Sequence, residues 1–113
     1  MLTIDGLREY GANVEEGISR CINSESLYLN LVTMARDEKN FAVLDNAINE
    51  GDLNRAFEAA HALKGVLGNL SLTPMYDKAV EITELLRRKE EADYRKLVDE
   101  LLESKTEFEK LFD

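Results

Sequence analysis

Apolar positions recur along this chain at intervals of three and four, and that spacing predicts helices almost throughout. No run alternates strictly and no Asn-Gly or Asp-Gly pair marks a hairpin, so strands are not expected. Asn13, with Glu16 three residues on, makes a capping-box pattern for a short helix running through Cys21. Glycines at 11 and 17 weaken it and suit an edge flap. Ser24 caps a second helix, with Leu27, Leu31, Met34 and Ala35 and then Phe41, Leu44 and Ile48 as its apolar stripe. A kink is expected near Lys39-Asn40, and Gly51 is a left-handed stop. Asp52 caps a third helix reaching about Leu70. Thr73 caps a fourth, with Pro74 in the first helical position, where its missing N–H costs nothing. That helix ends among Arg87, Arg88 and Lys89, cations that offset the dipole at a C-terminus. Asp93 caps the last, with Tyr94, Leu97, Leu101, Phe108 and Phe112 inward. Short connections make consecutive helices antiparallel neighbours. The expected fold is all-α: an antiparallel four-helix bundle with a short additional N-terminal helix, one domain spanning residues 1–113.

Composition narrows the function. Apolar residues at 44% and charged residues at 33% suit a globular fold and argue against disorder. The formal net charge of −9 makes nucleic acid and anionic membrane surface poor partners. No apolar run approaches the roughly 20 residues that span a bilayer, and residues 1–11 hold no apolar signal core, so a cytoplasmic location is expected. The single cysteine, Cys21, can form no internal disulfide and fits as a small apolar residue beneath the N-terminal helix.

The third helix carries one feature that packing does not explain. With His61 at zero on a wheel of about 100° per residue, Leu53, Ala56, Ala60, Leu63, Leu67 and Leu70 fall between about 180° and 280°. These form the core stripe, so His61 points away from it. Phe57, Lys64, Gly65 and Gly68 lie within about 60° of the histidine and share its outward face. Two glycines inside a helix cost roughly 1 kcal/mol each against alanine, and an outward phenylalanine is equally unexpected. A functional reading accounts for both. The glycines leave room beside His61, Lys64 can reach a bound anion as a mobile point charge, and Phe57 offers an apolar docking contact.

The run Ala60-His61-Ala62-Leu63-Lys64-Gly65, followed by Gly68-Asn69-Leu70, resembles the signature of histidine-containing phosphotransfer (HPt) domains. In that pattern His-x-Leu-Lys-Gly precedes a small residue and often Asn-Leu about two turns on. Members often carry small residues just after the glycine and again near Ser71; this chain has Val66, Leu67 and Leu72 at or near those places. The resemblance implies that His61 accepts a phosphoryl group from an aspartyl phosphate on a response-regulator receiver domain, or from a histidine kinase, and relays it onward. It implies Lys64 as the phosphate-side stabiliser and Gly65 and Gly68 as clearance. Phe57 and Glu58 are assigned to the receiver-docking surface from the wheel.

No Gly-rich nucleotide loop and no evident acidic metal pocket accompanies His61, so the chain is expected to be a phosphocarrier with neither an ATP site nor a metal site of its own. The partner receiver would bring the Mg²⁺. Glu58 and His61 match the Glu-x-x-His of di-iron bundles, but such sites need two inward motifs and this chain has one histidine, facing outward. Two alternatives stay open: a phosphoacceptor domain of a larger, chemotaxis-type kinase, and a helical adaptor that carries no phosphate. An initial Met and an end soon after the last helix favour a free-standing protein or an isolated domain over the first.

Overall fold

The computed structural model describes all 113 residues and is helical throughout. Its α-helices are α1 (Ile4–Tyr10), α2 (Val14–Arg20), α3 (Glu25–Arg36), α4 (Asn40–Glu50), α5 (Leu53–Asn69), α6 (Thr73–Arg87) and α7 (Tyr94–Glu109), with a terminal 3-10 turn at Lys110–Phe112. Helices α4 to α7 close a four-helix bundle in which α5 packs on α4 and α6, and α7 on α6 and α4. Its centre is lined by Phe41, Leu44 and Ala47 of α4, Ala56, Ala60, Leu63 and Leu67 of α5, Met75, Ala79 and Ile82 of α6, and Val98, Leu101 and Phe108 of α7. The alanines let α5 approach its neighbours closely, leaving one ridge of that long helix outside the bundle.

Capping side chains explain most boundaries. Asn13, Ser24, Asp52 and Asp93 each accept a backbone N–H three residues on, and Gly51 ends α4 with φ at 72°. The exception is α6: Leu72 is its N-cap, Thr73 is its first residue, Pro74 its second, and the Thr73 hydroxyl donates instead to the Ser71 carbonyl.

Several features depart from the sequence reading. Residues 4–10 form an additional helix, α1, capped by Thr3 and ended by Gly11 at φ 115°. The expected kink is a complete break: α3 ends at Arg36, and the Glu38 carboxylate caps the new start by accepting the Asn40 N–H at 2.8 Å. Finally, α3 buries Tyr28, Val32 and Ala35, while Met34 is 68% exposed and Leu27 36%. The buried stripe is the one carrying tyrosine, because Tyr28 fills a space that α2 vacates. Leu53, expected in the core, is 48% exposed, since the first turn of α5 extends past the packed layer.

That vacated space belongs to Gly17, so this glycine is a packing requirement and not a weak point. A Cβ there would lie 2.3 Å from Tyr28 Cε1 and 3.0 Å from the Leu70 carbonyl oxygen. The Tyr28 hydroxyl donates to that same carbonyl at 2.9 Å, and burial pushes its phenol up to about 12, which keeps the donor proton in place. Gly17→Ala is therefore expected to lower stability by about 1–3 kcal/mol, the usual range for overpacking, read as a fall in the thermal midpoint. An unchanged midpoint would mean that α2 can shift away from α3 at no cost.

Helix α2 also fastens the turn that ends α5. The Asn13 N–H donates to the Ser71 carbonyl at 2.9 Å, and the Ser71 hydroxyl donates to Glu16 at 2.8 Å. Arg20 donates to the Gly68 carbonyl at 3.0 Å, a second donor to an oxygen that already accepts the Ser71 N–H at 3.1 Å. Ser71, buried with φ at 53°, holds the left-handed conformation that this turn requires.

Candidate functional site

His61 stands near the middle of α5 on the ridge that the bundle leaves outside, and it is exposed. Its neighbours differ on the two sides of that ridge. Toward α6, the Phe57 ring lies one turn before the imidazole and nearly parallel to it, with centroids 5.8 Å apart and planes 11° apart. The Arg87 guanidinium covers the ring of Phe57, 5.2 Å from its centroid. Phe57 is consequently half-buried between a cation and an imidazole, although the wheel alone puts it on the outward face. Such stacks contribute about 0.5–1.5 kcal/mol beyond burial and restrain how the imidazole turns.

Lys64 is on the same side, one turn after His61. Its Nζ lies 3.9 Å from Glu84 Oε1, and the other oxygen of Glu84 is 3.4 Å from Arg87 Nε. The lysine is thus not a free cation waiting beside the histidine; it shares a carboxylate of α6 with Arg87. Sequence reasoning missed Glu84 and Arg87 as neighbours of His61. The basic trio at 87–89 was legible, but Arg87 alone turns toward the site. Arg88 pairs with Glu90 at 3.3 Å, and Lys89 lies beyond the helix with φ at 55°.

The two glycines prove different. A Cβ at Gly65 would meet nothing within 4 Å, so the space beside His61 is open there. A Cβ at Gly68 would lie 2.8 Å from Tyr76 Cε1 and 3.2 Å from Cδ1. The missing side chain of Gly68 makes room for the Tyr76 ring of α6, which corrects the expectation that it clears the flank of His61. Glu58 is exposed on the α3 side of the ridge. Farther along that side, Leu31, Met34 and Ala35 of α3 and Val66, Asn69 and Leu70 line a shallow groove of about 320 Å³, with Glu38 at its rim. No three His, Cys, Asp or Glu side chains are grouped so as to hold a metal ion.

An outward histidine on a bundle helix, flanked by lysine and open glycine, is the geometry expected of a phosphoacceptor. Among known families, the model of the Hpt domain matches residues 32–111. The chain belongs to the Hpt domain family. The match opens within α3, takes in all four bundle helices and His61, and ends in the terminal 3-10 turn. Helices α1 and α2 precede it. Hpt domains are histidine phosphotransfer modules of two-component phosphorelays and act as phosphocarriers. No curated protein and no solved structure matches this Hpt domain. No helix in it is long and apolar enough to cross a membrane.

Proposed function

We propose that this Hpt domain accepts a phosphoryl group on His61 and relays it to or from receiver-domain aspartates. The observation that carries the reading is the combination at one place of an exposed imidazole, stacked and oriented by Phe57, with open space at Gly65. In the transfer, the lone pair of a ring nitrogen attacks phosphorus in line. The N–P bond forms as the O–P bond of the aspartyl phosphate breaks, and the carboxylate leaves with that electron pair. The ring keeps its other N–H and becomes a phosphoimidazolium; the return step reverses each change. In this reading the Mg²⁺ of the transfer complex is brought and held by the receiver.

Within this scheme Lys64 steadies the transferred phosphoryl as a point charge. Gly65 admits the partner, and Phe57 and Glu58 form the rim of the docking surface on either side of His61. Gly68 acts one step removed, by seating Tyr76 against α5. The partners are receiver domains or a histidine kinase, and the setting is cytoplasmic.

The test is transfer of labelled phosphate from phosphorylated receiver domains to the full chain in the presence of Mg²⁺. The expected result is acid-labile label at one group per chain, mapping to the peptide that contains His61. Label that is acid-stable, or none from a broad panel of receivers onto protein shown to be helical by circular dichroism, would count against the proposal.

A further inference from the structure

We propose that Glu84 is a positioning residue that holds Lys64 away from His61 until a phosphoryl group arrives, and so sets how firmly the group is retained. This rests on the reading of His61 as the phosphoacceptor. Lys64 follows His61 by three residues, a spacing at which two side chains of one helix meet. Its ammonium group is nevertheless engaged across the helix interface, 3.9 Å from Glu84 Oε1. Glu84 has a second partner, since its Oε2 is 3.4 Å from Arg87 Nε. Arg87 in turn is backed by the ring of Phe57, which stacks on His61. Five side chains from two helices therefore form one connected arc around the acceptor. The other charged groups on this ridge and its flanks are Glu58 of α5, Glu38 at the α3–α5 groove, and Glu16, Arg20 and Asp77, which surround Gly68 two turns after His61.

The arrangement has two states. With His61 free, Lys64 has one nearby anion, Glu84. A phosphoryl group on the imidazole brings close to two negative charges, and Lys64 then has a stronger counter-ion within reach. Its departure does not strand Glu84, because Arg87 still pairs with the second oxygen. Competition by Glu84 weakens the hold of Lys64 on the phosphoryl, which suits a carrier that must give the group up again. The effect is that of one partly exposed ion pair, about threefold in an equilibrium constant.

The experiment phosphorylates the full chain with phosphoramidate, a small donor that needs no docking surface. It then follows the phosphohistidine by ³¹P NMR as pH is varied. A cation beside the phosphoryl favours its dianion, so Glu84→Gln is expected to raise the ionisation constant of the phosphoryl about threefold, and Lys64→Met to lower it. In the Lys64→Met background, Glu84→Gln should lose most of its effect. In 1 M KCl, where screening acts within about 3 Å, the difference between wild type and Glu84→Gln should shrink. Glu84→Asp should behave more like the wild type than Glu84→Gln does. Equal titrations for wild type and Glu84→Gln, or the same shift with and without Lys64, would overturn the proposal and leave the phosphoacceptor reading intact. A wild type that takes no phosphoryl from phosphoramidate on its single histidine would sink both.

Discussion

Replacing His61 with glutamine is expected to abolish acid-labile phosphate uptake completely and to leave the bundle folded. The chain contains one histidine, so no second imidazole can substitute. The glutamine amide has similar reach but no nucleophilic ring nitrogen. The cost to the fold should be small, because His61 is exposed and loses only its stack on Phe57. A surface change of this kind stays within about 1 kcal/mol. The measurement is label transfer from a phosphorylated receiver to both proteins, with thermal melts of each. Acid-labile label on His61→Gln would contradict the assignment of the acceptor. Loss of label together with loss of helicity would require the milder His61→Asn to separate folding from chemistry.

The outward position of His61 is legible in the amino-acid sequence because a bundle helix declares its inward face. Ala56, Ala60, Leu63 and Leu67 all fall on one stripe, all are buried, and the histidine opposite them has nowhere to go but outward. Which neighbours it meets there depends on the next helix, and a wheel of one helix cannot supply that. Arg87 and Glu84 reach the site only because α6 crosses α5 where it does. Gly68 shows the same limit: on the wheel it resembles Gly65, and only the ring of Tyr76 tells them apart. The stripe of α3 is ambiguous for another reason. Leu27, Leu31 and Met34 are as apolar as Tyr28, Val32 and Ala35, and the choice between the two faces lies with Gly17 on a different helix. Helix α1 is readable in principle, from Thr3 as a cap, Ile4, Leu7 and Tyr10 at helical spacing, and Gly11 as a stop. Its brevity, 7 residues, keeps the periodic signal weak.

The difference between the glycines leads to the second large effect. Gly65 is exposed in mid-helix with open space where a Cβ would stand, so nothing in the fold asks for glycine there. Alanine at such a position should stabilise the helix by roughly 1 kcal/mol. Under the proposed role of His61 as acceptor, forgoing this gain keeps the approach to the imidazole clear. Gly65→Gln is therefore expected to leave the thermal midpoint equal to or above that of the wild type, and to slow transfer from a phosphorylated receiver by about a hundredfold, the penalty when reacting groups are held roughly an ångström out of line. Phosphoramidate, which needs little room, should still label His61 in that variant. Gly68→Ala should show the reverse pattern, losing stability as its Cβ meets Tyr76 while slowing transfer less. If Gly65→Gln accepted phosphate from the receiver at the wild-type rate, the partner would not be covering this part of α5. The docking surface would then have to be sought on the α3 side of His61, along Met34 and Val66, where the groove leaves apolar side chains uncovered.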